Sequence, residues 1–299
     1  MTGFDAAAVG RVRAGIVGRE REIDVIIAAL AAERHVLLEG PPGTGKSSLL
    51  RALAGATGAQ LVFVEGNAEL TPARLVGTFD PARVLADGYS PDVFLDGPLV
   101  EAMRIGALLY LEELNRVPEE TLNVIITAMS ERELHVPRLG TVRAEPGFRV
   151  IAAMNPFDAI GTARISSAVY DRVCRVTMDY QSFDDELAVV HREAPAGAAV
   201  LGRRAVHVVR ATRDHADVRI GSSVRGAIDL CLVADRLADV RGTDLHDEGT
   251  GLDAALAALS GRIRVREGAG RTAEQIVRDL WAASAIADPS DETGEPGKA

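Results

Sequence analysis

The stretch Gly40-Pro41-Pro42-Gly43-Thr44-Gly45-Lys46-Ser47 decides how this chain is read. It matches the spacing G-x-x-x-x-G-K-[ST]. The apolar run His35-Val36-Leu37-Leu38 before it predicts a strand, and Ser48-Leu49-Leu50-Arg51-Ala52-Leu53 after it predicts a helix. That strand–loop–helix setting is what a phosphate-cradling loop requires. Glycines let the backbone turn tightly, so several N–H groups face one concavity. The helix start adds partial positive charge and unsatisfied donors. Lys46 supplies a full charge for the β and γ phosphates, and Ser47 a hydroxyl for Mg²⁺. The candidate nucleotide-binding set therefore runs from Gly40, Pro41 and Pro42 through Gly43, Thr44, Gly45, Lys46 and Ser47 to Ser48. A plain Gly/Pro turn needs no Lys-Ser at this register.

Working outward, the N-terminal side begins with 15 Ala/Gly/Arg-rich residues that fit either a loose start or a short helix. Ile23, Ile26, Ile27 and Leu30 then fall on one helical face. Before them, Val17 and Gly18 form an apolar-Gly turn. It fits a seat for an adenine ring, and equally an ordinary loop-to-helix junction. On the C-terminal side, strands are expected over 60–65, 107–111, 148–154 and 173–178, with helices over 99–105 and from 118 onward. Pro118-Glu119-Glu120 marks that second start, with proline in the first turn and acids at the positive end. Residues 76–97, rich in Gly, Pro and Asp, read as loop. Leu134, Val136, Leu139 and Val142 around Pro137 and Gly140 predict a β-hairpin within 132–147.

Strands alternating with helices imply an α/β fold with a parallel sheet flanked by helices. Beyond residue 184 the pattern turns helical, which predicts a second, smaller, all-helical domain. The expected boundaries are 1–181, 182–287 and a polar, disordered tail over 288–299.

Bulk properties narrow the function classes. The chain has 299 residues, 47% apolar and 25% charged, and a net charge of −10. The acidic balance weighs against broad nucleic-acid or anionic-membrane binding. Cys174 and Cys231 stand far apart and outside any C-x-x-C pair, so neither a disulfide framework nor a zinc site is expected, and a reducing compartment fits. No signal-peptide pattern and no apolar run of about 18 residues is present, so the expectation is a cytoplasmic chain without a membrane span.

The second chemical element is Glu112-Glu113. These carboxylates end the strand predicted at 107–111, the end at which parallel α/β sheets bind ligands. A nucleotide hydrolase needs one carboxylate near Mg²⁺ and one to polarise the attacking water. On residue type alone the pair also fits a solvated acidic corner. The loop at 40–47 is what tips the reading toward Glu112 as a metal ligand and Glu113 as the catalytic base.

Taken in order, these parts resemble the AAA+ ATPases, and in detail the MoxR family. The likeness lies in Gly40–Ser47 as Walker A, in Leu108-Leu109-Tyr110-Leu111-Glu112-Glu113-Leu114-Asn115-Arg116 as Walker B, in the hairpin, and in Ala152-Ala153-Met154-Asn155-Pro156 as sensor 1. Asp171-Arg172 resembles the family's arginine-finger dipeptide, and Gly221-Ser222-Ser223-Val224-Arg225 its sensor 2 helix start. The likeness spans about residues 16–285, and the ordered set is far more specific than Walker A alone. It implies a P-loop AAA+ core plus a helical lid, ATP hydrolysis with Mg²⁺, Asn155 orienting water, Arg172 reaching a neighbouring subunit's γ-phosphate, and Arg225 reporting nucleotide state. Asn67, at the end of the second strand, is a candidate to hold Glu113 between states. The resemblance further implies a homo-oligomeric ring, commonly hexameric. It also implies a von Willebrand factor A domain partner and chaperone-like remodelling or metal insertion in a client protein. One position departs from the family pattern: Glu112 stands where the family has Asp. Its extra methylene predicts displaced Mg²⁺ coordination and slowed turnover with binding intact, which leaves a nucleotide-dependent binding switch as the competing reading.

Overall fold

The computed structural model describes residues 4–156 and 165–284. The chain divides into two compact units, 1–179 and 180–299. The tail predicted over 288–299 lies outside the described residues.

The first unit is built on five parallel strands. Their spatial order is Leu61–Glu65, Leu108–Glu112, Arg149–Met154, His35–Glu39 and Val173–Thr177. The first strand in sequence therefore lies between the fourth and the fifth. Its carboxyl end, where residue 40 begins, is the topological switch point at which such sheets bind ligands. The three inner strands are short and apolar because both faces are covered, whereas the two edge strands keep exposed positions such as Phe63 and Arg175. Alternation divides the side chains between two cores. Val36, Leu38, Leu108, Tyr110, Ile151 and Ala153 face one layer, with Ile23, Ile26, Ile27 and Leu30 of the helix Glu20–Ala31 and Leu49, Leu50 and Leu53 of the helix Lys46–Thr57. Leu37, Leu109, Leu111, Val150, Ala152 and Met154 face the other, under the helices Pro98–Ile105 and Glu119–Glu131. At roughly 1.5–3 kcal/mol per buried aliphatic side chain, the four of the helix Glu20–Ala31 outweigh any propensity term of that helix.

His35 opens its strand beneath this core. Its Nδ1 accepts the Val150 N–H at 2.9 Å, so Nε2 carries the proton toward the Met129 carbonyl at 3.3 Å. Burial pushes the imidazole down to about 4, and Arg149, Arg132 and Arg34 add to the effect while the Met129 bond opposes it.

The structure decides one open alternative, revises a second expectation and bears out a third. The open start at 1–15 contains a helix, Ala6–Gly15, capped by the Asp5 side chain. Residues 76–97, expected as loop, hold a helix Pro81–Asp87 and an antiparallel ribbon, Gly77–Phe79 with Phe94–Asp96. The Pro, Asp and Gly that suggested a loop cap these short elements: Asp80 accepts from the Ala82 and Arg83 amides, Pro81 opens the helix, and Gly88 ends it at φ 73°. In the predicted hairpin region, Glu133–Val136 pairs with Gly140–Arg143 directly after the helix Glu119–Glu131. Arg138 at its tip lies 3.9 Å over the Tyr89 ring.

The second unit packs the helices Phe183–Glu193, Pro195–Asp214, Val224–Arg241, Glu248–Leu259 and Ala273–Ser284 around its own core. It is not all-helical, because Val218–Ile220 and Arg264–Val265 form a small antiparallel ribbon. The strands are too short to leave an alternating signal in the sequence. Glu186 is buried at the centre and neutralised by Arg210 at 3.1 Å and Arg213 at 2.7 Å. Cys231 is buried, which pushes its thiol up to about 12 and leaves it inert. Trp281 is buried against Gly251, donates to Glu248 at 3.0 Å and carries the Arg204 guanidinium 3.7 Å over its ring. Among the described residues, no helix is long and apolar enough to cross a membrane.

Candidate nucleotide-binding site

The loop 40–45 leaves the strand His35–Glu39 between two neighbours. The Gly40 amide donates to the Met154 carbonyl and the Met178 amide to the Glu39 carbonyl. A Cβ at Gly40 would stand 2.0 Å from the Met178 carbonyl oxygen, so only glycine fits. Gly43 and Gly45 take positive φ, at 76° and 86°, and Gly45 caps the helix Lys46–Thr57. A Cβ at Gly45 would meet nothing within 4 Å, so this glycine answers to backbone conformation alone. Thr44 is buried and its hydroxyl donates to Pro41 O at 3.0 Å. Lys46 Nζ donates to the Gly40 and Pro41 carbonyls at 2.8 Å each, which holds its charge against the loop. Ser48, one residue further, is exposed.

The strand Leu108–Glu112 meets this loop from the side. Ser47 Oγ donates to Glu112 Oε1 at 2.5 Å and lies 3.1 Å from the Tyr110 hydroxyl. Burial, with the neighbouring Glu112 charge, pushes the Tyr110 phenol well above its usual range. The extra methylene of Glu112 therefore carries its carboxylate directly to the Ser47 hydroxyl. A hydroxyl and a carboxylate oxygen in contact form a donor set that suits a hard dication such as Mg²⁺.

Glu113 follows in a left-handed conformation, φ 54°, and starts the turn Leu114–Arg116. Such backbone strain in a non-glycine residue gathers at functional positions. Its Oε2 is buried, 3.2 Å from Arg116 Nε, in a geometry that falls short of a hydrogen bond. Gly66 makes this turn possible: a Cβ there would lie 2.5 Å from Glu113 O and 2.8 Å from Glu112 O. Asn115 is buried and donates to the Asn155 carbonyl at 3.2 Å, tying the Glu113 turn to the end of the strand Arg149–Met154. Asn67 is spent on its own turn, donating to Glu65 O and accepting from the Glu69 amide, rather than on Glu113.

Val17 and Gly18 lie half-buried beside Arg19. The Arg19 guanidinium donates to the Thr44 carbonyl at 3.0 Å and to the Asp179 carbonyl at 2.6 Å. Residues 17–19 are thus anchored to the phosphate-cradling loop. Arg172 sits elsewhere. It immediately precedes the strand Val173–Thr177, whose register pairs Val173 with His35 and Thr177 with Glu39. Six registers at about 3.3 Å each put it roughly 20 Å along the sheet from Gly40, beyond the reach of one side chain. There it donates to Ser130 Oγ and to the Ala168 carbonyl, with Asp171 at 3.8 Å. Arg225 belongs to the second unit, exposed in the first turn of its helix, where its carbonyl accepts from Arg262.

Sequence reading singled out neither Arg19, Tyr110 nor Gly66 as a site residue, and quoted Asn115 only within a motif. Tyr110 had a usable signal, since two residues before Glu112 on a strand means the same face. Arg19 had none, because its partners lie 25 and 160 residues away.

Comparison with known proteins agrees with this geometry. Residues 35–173 match the family model described as AAA domain (dynein-related subfamily). The Bacillus subtilis protein YeaC, itself uncharacterized, is 30% identical over 260 residues, covering 77% of this chain and 78% of YeaC. An uncharacterized protein of Staphylococcus haemolyticus is 35% identical over 149 residues, 49% of this chain, and the match spans little more than half of that relative, 56%. A proposed ATPase from Cytophaga hutchinsonii superposes with a TM-score of 0.52 at 21% identity, over 92% of both chains. RuvB of Thermotoga maritima superposes at 0.52 with 16% identity, over 80% of this chain and 70% of RuvB. Both structures speak for the fold: a P-loop AAA+ core with a helical lid unit. The chain belongs to one family with YeaC, and its residues 35–173 are similar to the AAA domain of the dynein-related subfamily, on an AAA+ fold.

Proposed function

We propose that this chain is a MoxR-like AAA+ ATPase that binds ATP with Mg²⁺ and hydrolyses it to remodel, or assist the maturation of, a partner protein. The observation that carries the reading is the 2.5 Å contact of Ser47 Oγ with Glu112 Oε1, at the mouth of the loop 40–45 and next to Glu113. Phosphate donors, a metal-ligand pair and a base then lie at the carboxyl ends of two parallel strands that flank Arg149–Met154. Val17 and Gly18 flank the nucleotide, with Arg19 fixing them to the loop. The loop amides and Lys46 bind the phosphates, and Ser47 with Glu112 would hold the dication, whose chemistry there is to neutralise charge on the β and γ oxygens. Glu113 takes the proton of the attacking water, and Asn155, fixed by Asn115, orients that water. Arg172 is too far along the sheet to serve its own chain's phosphate. In this reading it stabilises transition-state charge at a neighbour's site, so hydrolysis requires a closed assembly such as a hexameric ring. Arg225 in the lid unit reports the nucleotide state. A von Willebrand factor A domain protein, and a client receiving remodelling or metal, are the partners the family resemblance supports. A reducing, cytoplasmic setting fits the two lone cysteines.

The test is steady-state ATP turnover against protein concentration, with Glu113→Gln as the blank. Specific activity that climbs steeply with concentration supports the assembled ATPase. Tight nucleotide binding with turnover no higher than the blank at every concentration would replace it with the binding-switch reading.

A further inference from the structure

We infer that Tyr110 is a positioning residue for the metal ligands, an assignment that rests on Ser47 and Glu112 holding Mg²⁺. Tyr110 and Glu112 are two residues apart on one strand, so both project onto the face covered by the helix Lys46–Thr57. Ser47 Oγ has one proton and two lone pairs. Its 2.5 Å contact with a carboxylate, which only accepts, commits that proton to Glu112. The 3.1 Å contact with Tyr110 must then run the other way, with the phenol donating to Ser47 Oγ. One Ser47 lone pair remains, and the phenol decides where it points.

The phenol can do this because it cannot turn away. Tyr110 is 2% exposed in the middle of a central strand, with its ring 5.5 Å from that of Phe63. The Ser47 hydroxyl, by contrast, rotates about a single bond. Glu112 alone is a poor anchor for it, because its carboxylate would be shared with the cation. The phenol also faces the Glu112 carboxylate, but its ring is packed in the sheet and does not move with that carboxylate, so it keeps Ser47 in one rotamer. A fixed donor of this kind also explains how a longer, more flexible Glu serves at position 112. Outer partners that orient a metal ligand typically change metal affinity by about 10–100-fold when removed.

The experiment uses the full chain and two readouts besides turnover: affinity for a fluorescent ATP analogue in EDTA, and Mn²⁺ binding by electron paramagnetic resonance with the analogue bound. Tyr110→Phe removes only the hydroxyl and keeps the packed ring. Expected are metal-free nucleotide affinity within about twofold of the parent and Mn²⁺ affinity weakened about tenfold. Ser47→Ala weakens Mn²⁺ binding by itself, and adding Tyr110→Phe to it should cost nothing more, since the phenol then has no hydroxyl to orient. Unchanged Mn²⁺ affinity in Tyr110→Phe overturns the inference. So does an equal loss with and without metal, which would mark a packing role, or an undiminished Tyr110→Phe effect in the Ser47→Ala background. If the parent chain binds the analogue equally with and without Mn²⁺, the metal-site reading itself fails, separately from any property of Tyr110.

Discussion

Lys46 holds its ammonium 2.8 Å from two carbonyls of its own loop. That contact shapes the loop while leaving the charge where a triphosphate would meet it. Lys46→Ala is expected to weaken ATP binding by about 100-fold, the loss of charge-assisted bonds worth roughly 3 kcal/mol. Equilibrium titration with a fluorescent nucleotide checks it, and unchanged affinity would remove the phosphate-loop assignment. Lys46, with the surrounding glycines and Ser47, was legible in the sequence because its function depends on neighbours within eight residues. Arg19 was not, since its hold on Thr44 and Asp179 exists only once three distant segments have packed. Nor could residue type alone tell that Glu112 would reach Ser47, because the reach depends on the separation of a strand and a helix rather than on either one's composition.

At the scale of elements, the second and third strands in sequence are bound by what Gly66 lacks. Its amide donates to Glu112 O at 2.7 Å, and a side chain there would collide with the backbone of Glu112 and Glu113 and with Val117. Gly66→Ala should cost about 3 kcal/mol, the upper range for overpacking against backbone that cannot yield. It should also lower turnover more than nucleotide affinity, because the displaced turn carries Glu113 rather than the phosphate loop. A chemical melt and a kcat-against-KM comparison read the two effects, and a variant with parent stability would show that the turn relaxes freely. His35 joins three other elements at the opposite end of the sheet. The folded chain resists protonating it until pH falls to about 4, whereas the unfolded chain protonates it near 6.5. Stability is therefore complete above about pH 6.5 and declines as pH falls toward 4, by up to roughly 3 kcal/mol. His35→Gln should flatten that decline in urea melts between pH 7 and 4.5. Parallel curves for variant and parent would place the acid sensitivity elsewhere. Long strands and helices announced themselves by periodicity, but the region 76–97 did not. Its strands are three residues long and its helix seven, too short for any period to register.

At the scale of the whole molecule, the register of the sheet separates Arg172 from its own phosphate loop, so a finger role can be played only between copies. Arg172→Ala should leave nucleotide affinity near the parent value and lower turnover by about 10³-fold. Mixed with Glu113→Gln, which keeps its finger, it should regain activity that neither variant has alone. A mixture as inactive as its components would end the between-copies reading. The passage from strand-rich to helix-rich sequence near residue 180 was visible from pattern alone. The ribbon inside the second unit was not, because its strands pair across about 45 residues and contribute five residues in all.

The sequence contains a single tryptophan. Trp281 lies in the second unit, buried and stacked beneath Arg204. Light absorbed at 295 nm is consequently emitted from the lid unit alone, and the nucleotide-binding unit is dark at that wavelength. An unfolding curve recorded by tryptophan emission reads the second unit directly, whereas Gly66 and His35 belong to the first. Far-ultraviolet dichroism recorded beside it registers both units, and a gap between the two traces would show the two units melting apart, without any label.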